Sequence, residues 1–323
     1  MDEQIEQPEA WFKFYGDGEK RDFVPPDPPP WRQFLRSQEN DDTSRHRRGK
    51  NFIPPPGALK IINAALYLRR PLLVTGKPGT GKTSLAYAIK EELGLELLRW
   101  NIGTRSVLKD ALYRYDAIAR VQDEKKNPQE IGNYMRLGPL GSAIWSNPGQ
   151  PRVLLVDEID KSDIDLPNDL LHILEEGCFE IPELQRIEEL RGKPVEMGTE
   201  LGEKAQIIDG KVICQEFPIV VMTSNGERDF PPAFLRRCLR LKMEEPTLDK
   251  LYRIVEGFLG GDRSELEAKY GEVLKVFVEQ RKRKSLATDQ LLNAVYLVSR
   301  GQIDPDADLE NLAEVLFQPL DES

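Results

Sequence analysis

The chain has 323 residues, 39% of them hydrophobic, with a formal net charge of −10, two histidines and three cysteines. Its apolar fraction is enough for a core, and its acidic balance removes any general electrostatic attraction to nucleic acid or an anionic membrane. Cys178, Cys214 and Cys238 lack CxxC spacing and, with His46 and His172, make no zinc cluster; a set this sparse fits a reducing compartment.

Residues 1–50 differ in character from the rest of the chain. Trp11-Phe12-Lys13-Phe14-Tyr15 is an aromatic cluster, Pro25-Pro26-Asp27-Pro28-Pro29-Pro30 forbids helix, and Arg45-His46-Arg47-Arg48-Gly49-Lys50 closes a polar run. This N-terminal arm either docks its aromatics on the core or a neighbouring subunit, or stays solvated. The opening Met1-Asp2-Glu3-Gln4 is too polar for a signal peptide, and no apolar run is of membrane-spanning length. The expectation is a cytoplasmic protein with no membrane association.

Pro54-Pro55-Pro56-Gly57 punctuates the entry to a core expected over 51–245. Leu59, Ile62, Ala65 and Leu66 have helical spacing, and Leu72-Leu73-Val74 reads as a buried strand. Gly76-Lys77-Pro78-Gly79-Thr80-Gly81-Lys82-Thr83 comes next, with Ser84 and a helix to about Leu93 behind it and Gly94 as its stop. Strand, glycine loop and Lys-Thr opening a helix form a phosphate-binding loop in its required context. The glycines let successive backbone N–H groups turn inward, and the helix N-terminus adds its positive end. Lys82 is the expected counter-charge for the β- and γ-phosphates, and Thr83 an expected Mg²⁺ ligand.

Leu95 to Ile102 reads as the next strand, and residues 104–136 as a polar insertion carrying exposed loops. Within it Tyr113 and Tyr115 are either pore-loop aromatics or core packing. Arg152-Val153-Leu154-Leu155-Val156-Asp157-Glu158 is an apolar run ending in two acids, as a parallel strand buried on both faces would. Beside a phosphate loop, Asp157 is the expected metal ligand and Glu158 the acid that activates water. Asp165 is placed to cap a helix bearing Leu170, Leu171, Ile173 and Leu174, with His172 a packing or surface residue. Residues 205–208 and 211–214 flank Asp209-Gly210, a type I′ turn signal. Phe217 to Asn225 is a third buried-strand run, ending on Asn225.

Beyond Pro246 only helical periodicity remains, so 246–323 is expected to be a small all-helical domain. Ser264 and Glu267 suggest a capping box, and Gly301 a helix end.

The order Gly76–Thr83, Asp157-Glu158, Asn225, Arg236-Arg237-Cys238 and then a helical domain resembles the AAA+ ATPases. The resemblance implies a P-loop NTPase α/β fold: a parallel sheet flanked by helices, followed by a helical lid. It places Asn225 where the family's first sensor contacts the γ-phosphate or the lytic water. Arg237, and next to it Arg236, falls where an arginine finger reaches nucleotide bound by the adjacent subunit. Arg136-Leu137-Gly138-Pro139-Leu140, Asp157-Glu158-Ile159-Asp160-Lys161 and Leu174-Glu175-Glu176-Gly177 are similar to the MoxR-type subgroup. That subgroup carries an insert in its second helix and a hairpin before the sensor, here about 104–136 and 178–216. The lid helix after Arg283 and Lys284 begins without the arginine many members carry there.

The implied function is Mg²⁺-dependent ATP hydrolysis in a homo-oligomeric ring, a hexamer, that remodels partner proteins, often one with a von Willebrand factor A domain. The chain lacks an Asn-Lys-x-Asp guanine-reading motif, which favours ATP. The rival readings are a slowly hydrolysing signalling switch and a motor subunit of a nucleic-acid-processing complex; the acidic charge speaks against the second.

Overall fold

The structure, a computed structural model, describes residues 52–122, 128–301 and 309–319, with Lys20, residues 27–29 and Gly49 besides. The aromatic clusters and basic tract of the N-terminal arm lie outside the described residues, as does 123–127 of the first insertion. Two compact units emerge, one made of Arg48–Lys77 with Gly81–Glu245, the other mainly of Pro246–Ser323.

Helix α1 (Ala58–Leu68) leads to strand β1 (Leu72–Thr75), the glycine loop and helix α2 (Lys82–Leu93), all within the first unit except Pro78–Thr80 of the loop. Gly94 stops α2 at a φ of 63°, a left-handed conformation that favours glycine. Strand β2 (Leu97–Asn101), helix α3 (Leu108–Leu112), strand β3 (Tyr113–Tyr115), helix α4 (Ala117–Gln122), strand β4 (Met135–Leu137) and helix α5 (Pro139–Ile144) come next. Strand β5 (Val153–Asp157) precedes helix α6 (Leu166–Glu176), strand β6 (Cys178–Glu180) and the short helix α7 (Pro182–Gln185). Strands β7 (Pro194–Gly198), β8 (Lys204–Ile208), β9 (Lys211–Ile213) and β10 (Ile219–Ser224), helix α8 (Pro232–Leu235) and strand β11 (Leu239–Lys242) complete it.

The central sheet is wholly parallel, in the order β11-β1-β10-β5-β2. Strand β5 is buried along its whole length, and its alternating side chains serve two cores. Val153 and Leu155 pack with Leu72, Val74, Leu85 and Tyr87, while Leu154 and Val156 face Leu73, Met222, Leu170 and Phe234. That two-sided burial makes the strand read as an unbroken apolar run. Because the strands are parallel, Gly76, Asp157 and Asn225 all lie at strand C-termini on one edge of the sheet.

The two expected insertions form one structure. Strands β3, β4, β7, β8, β9 and β6 make a second sheet, mostly antiparallel, in which β4 meets β7 at Arg136 and Gly198. The type I′ turn is present, with Asp209 at a φ of 52° and Gly210 at 62°. The described part of 104–136 is thus not made of exposed loops alone, although Ile118 and Val121 stay exposed. Ala111, Leu112, Tyr113, Ile131 and Met135 are buried against residues of the hairpin region, including Val195, Met197 and Ala205. Tyr113 Oη donates to Glu183 Oε2 at 2.6 Å, and burial, with that hydrogen bond second, pushes its phenol pKa well above the ordinary value. Of the two readings left open for Tyr113, pore loop and core packing, its burial supports core packing. Tyr115 packs against the same core and accepts from Arg120.

Two local details complete the join. Helix α5 approaches α3 so closely that a Cβ on Gly141 would stand 1.9 Å from the Leu112 carbonyl oxygen. Arg152, 5% exposed, donates to the Ser142 and Trp145 carbonyls at 2.6 and 2.9 Å and pairs with Glu203 of the hairpin region. Asp165 occupies the cap position of α6 without a capping side-chain bond, and His172 is exposed on that helix.

The second unit holds helices α9 (Leu248–Leu259), α10 (Arg263–Arg281), α11 (Thr288–Ser299) and α12 (Leu309–Leu316). Leu251, Val255, Val273, Phe277, Leu291, Val295 and Phe317 form its core. The capping box on α10 is made by Asp262 and Glu265, two residues earlier than the expected Ser264 and Glu267. Asp262 is extended, so its carboxylate reaches the N3 amide, whereas Ser264 is already helical. Asp27, from the proline-rich stretch, offers its carbonyl to Tyr296 Oη at 2.9 Å. Among the described residues no helix is long and apolar enough to cross a membrane.

Arg152→Met leaves the buried Ser142 carbonyl and the half-buried Trp145 carbonyl without this donor, and Glu203 without its ionic partner. The expected cost is about 3 kcal/mol of stability, read as a lower midpoint in chemical denaturation.

Candidate active site

The glycine loop leaves β1 where Gly76 N donates to Ser224 O at 3.3 Å. Gly79 and Gly81 take φ of 75° and 91°, which a side chain would resist, and so curl the chain into the first turn of α2. Pro78 and Gly79 are exposed at the crest and Thr80 is buried. Lys77 points outward and pairs with Glu245 at 2.8 Å. Thr83 and Ser84 are half-buried in the first turn of α2, beside its free backbone amides.

Lys82 is 7% exposed, and its Nζ donates to the carbonyls of Gly76 and Lys77 at 2.6 and 2.8 Å, bridging the loop from within. Burial lowers its pKa, opposed by the negative fields of Asp160, Asp157 and Glu158. The ammonium therefore stands among three carboxylates, and an anionic ligand would compensate its desolvation.

Asp157, 6% exposed, ends β5 and gathers three partners. Its Oδ1 accepts from Thr83 Oγ1 at 3.0 Å and Thr223 Oγ1 at 2.7 Å, and its Oδ2 pairs with Arg99 Nη2 at 2.6 Å. Thr83 and Asp157, 74 residues apart in sequence, thus present two hard oxygen donors to one point. That set suits Mg²⁺, which takes one or two protein oxygens plus phosphate and water. Among the described residues no cluster of three or more His, Cys, Asp or Glu offers a self-sufficient metal cage.

Glu158 has a φ of 62°, uncommon for a side-chain-bearing residue. Its amide donates to Thr223 Oγ1 at 2.9 Å and its Oε2 meets Lys161 Nζ at 2.9 Å. Asn225 comes directly after β10; its backbone N–H donates to Asp160 Oδ2 at 2.9 Å and its Nδ2 to Glu227 Oε1 at 3.4 Å. Lys82, Thr83, Asp157, Glu158 and Asn225 are thereby knit into one neighbourhood.

The two arginines are positioned differently. Arg237 Nε pairs with Glu175 Oε1 of α6 at 2.7 Å, while Arg236 is exposed and has no ionic partner among the described residues. Arg70 donates to the backbone carbonyls of both and so fixes the segment after α8. No bond joins either arginine to the glycine loop of the same chain among the described residues. Cys238 beside them is buried, and burial pushes its thiol up to about 12, which keeps it protonated and inert.

Four residues of this neighbourhood carry no role that the sequence alone assigns: Arg99, Thr223, Asp160 and Lys161. Thr223 had a visible signal, a polar residue near the end of an apolar strand whose C-terminus lies at the ligand edge. Arg99 had none, because its partner is 58 residues away on another strand.

Residues 72–245 match the family described as "ATPase family associated with various cellular activities (AAA)". No curated protein matches the chain. The matched stretch runs from the first residue of β1 past the end of β11 and contains the glycine loop, both acids, Asn225 and both arginines. A phosphate loop with an acidic strand beside it in a five-stranded parallel sheet, together with that match over more than half of the sequence, leads to one conclusion: the chain belongs to the AAA ATPase family.

Proposed function

We propose that the chain hydrolyses ATP with Mg²⁺ as a MoxR-type AAA+ protein, in a hexameric ring of its own copies in the cytoplasm. The ring would remodel or assemble partner proteins in a chaperone-like manner, among them one bearing a von Willebrand factor A domain. The observation that carries the hydrolytic part is the pairing of Thr83 Oγ1 with Asp157 Oδ1 beside Glu158 and the Asn225 turn.

In this reading the amides from Gly76 to Ser84 receive the phosphates, and Lys82 turns from its two carbonyls to the β- and γ-oxygens. Thr83 and Asp157 hold the metal ion, which when bound neutralises charge on the phosphates. Glu158 accepts a proton from the attacking water after leaving Lys161, and Asn225 orients that water or the γ-phosphate. Either Arg237, after release from Glu175, or the exposed Arg236 serves a neighbouring copy as the finger. The MoxR assignment is supported by the second sheet, where the helix insert and the hairpin region come together. Free cysteines at positions 178, 214 and 238 are consistent with a reducing compartment.

Lys82→Ala is expected to weaken ATP binding by about 100-fold or more in a fluorescent-nucleotide titration, since a nearly buried countercharge disappears. Affinity at the parental level would remove the phosphate-loop assignment. Glu158→Gln should keep ATP bound while steady-state turnover falls by about 10²–10⁴; parental turnover would show that another group activates water. Arg236→Ala and Arg237→Ala, measured separately, identify the finger by a turnover loss of about 10³ without loss of binding. Mixing that variant with Lys82→Ala should restore activity at mixed interfaces. Absence of rescue in samples shown to co-assemble would count against a finger acting between subunits.

A further inference from the structure

The carboxylate of Asp160 takes no part in the hydrolytic steps, yet it is among the most heavily engaged groups at this edge of the sheet. It sits in the turn Ile159–Lys161 just past the acidic pair and is 5% exposed. One oxygen, Oδ2, accepts three successive backbone N–H groups, those of Asn225, Gly226 and Glu227, at 2.9, 3.0 and 3.1 Å. Gly226, at a φ of 80°, curls the chain so that the three amides converge, an anion-binding nest filled by a side chain of the same molecule. Its other oxygen, Oδ1, is buried with no hydrogen-bond partner. A second tie runs between the same two segments, from Arg228 to the carbonyls of Ser162 and Asp163 at 2.7 and 3.3 Å. Charge-assisted bonds of this kind are roughly twice as strong as neutral ones, and three on one oxygen hold the turn tightly. The turn starts at Asn225, and the carboxylate belongs to the segment that begins with Glu158.

We propose that Asp160 is a positioning residue for hydrolysis, holding the Asn225 backbone at a fixed place relative to Glu158. The proposal rests on the reading that Asn225 acts on the γ-phosphate or the attacking water. Asp160 touches neither and acts through Asn225. Its hydrogen bonds therefore act on turnover, while its negative field at Lys82 opposes capture of nucleotide, so removing the charge does not weaken capture.

The test uses the full chain with Mg²⁺ and ATP and compares Asp160→Asn, Asp160→Ala, Asn225→Ala and the double variant Asp160→Asn/Asn225→Ala. Replacing the charged acceptor by the near-isosteric amide is expected to lower kcat about tenfold with KM unchanged, and deleting it about 100-fold. Affinity for a non-hydrolysable ATP analogue should fall by no more than about twofold from the parent, because the lost charge had opposed phosphate binding at Lys82. The double variant should be no slower than Asn225→Ala alone, because the two residues act in series. Parental kcat in Asp160→Asn and Asp160→Ala, with a loss in Asn225→Ala, overturns the role of Asp160 alone. Additive losses in the double variant overturn it too, as does a loss of analogue affinity equal to the loss of kcat, which marks a structural role. Parental kcat in Asn225→Ala removes the function of Asn225 and this proposal with it. Should Asp160→Ala fail to fold, Asp160→Asn decides.

Discussion

The carboxylate of Asp157 is the point on which the site depends. It lies at the end of the most buried strand of the sheet, yet it touches three other elements. Thr83 brings the first turn of α2, Thr223 brings β10 and Arg99 brings β2. An ionised carboxylate this enclosed is tolerable only when its lone pairs are filled by donors. Two hydroxyls and a guanidinium fill them here. Satisfying one charge therefore fixes the glycine loop against the sheet and aligns β10 so that its last residues meet the acidic pair.

The same requirement recurs one turn later. Asp160 is as buried as Asp157; its Oδ2 is satisfied not by side chains but by the backbone of the Asn225 turn, while its Oδ1 has no partner among the described residues. Between them the two acids tie the ends of β5 and β10 together above the sheet, and Thr223 adds a third link through the Glu158 amide. Glu158, next to Asp157, keeps a half-exposed carboxylate held by Lys161. Rigid neighbours around one less constrained acid is an arrangement suited to a group that must change partners during a reaction. Lys82 presents the complementary case: a cation depressed by burial, with its donors on loop carbonyls, which an arriving polyphosphate can take over.

The second sheet answers a different physical need. Residues 104–136 and 178–216 bury their apolar side chains in one shared cluster. Strands β3 and β4 bury Tyr113, Met135 and Leu137, and the hairpin strands bury Val195, Met197, Ala205 and Ile207, in a cluster continuous with the main core. Arg152 fastens the assembly at its base, with its guanidinium among two carbonyls and Glu203, 5.5 Å from the centre of the Trp145 ring. The two insertions thus become one layer, held by burial and by a buried polar cluster.

The sequence by itself determined whatever is set within a few residues. The glycine loop was legible because the positive φ of Gly79 and Gly81 and the helix start at Lys82 are local demands. The core strands were legible because two-sided burial leaves an unbroken apolar run, and the Asp209-Gly210 turn because its dihedrals admit few residue types. Tertiary structure alone decided the pairings between distant residues. Arg99 with Asp157, Tyr113 with Glu183 and Asp160 with the Asn225 turn span 58 to 70 positions, and neither partner alters its own local pattern. The sequence left Tyr113 open between a pore loop and the core because its segment is polar, and it is core because strands from the distant hairpin region share its cluster. The cap of α10 moved to Asp262 because a capping residue is defined by where the helix starts in space, and Asp262 with Glu265 looks much like Ser264 with Glu267 in one dimension. Local conformational preference is written residue by residue, whereas burial and charge pairing depend on which segments the folded chain brings together.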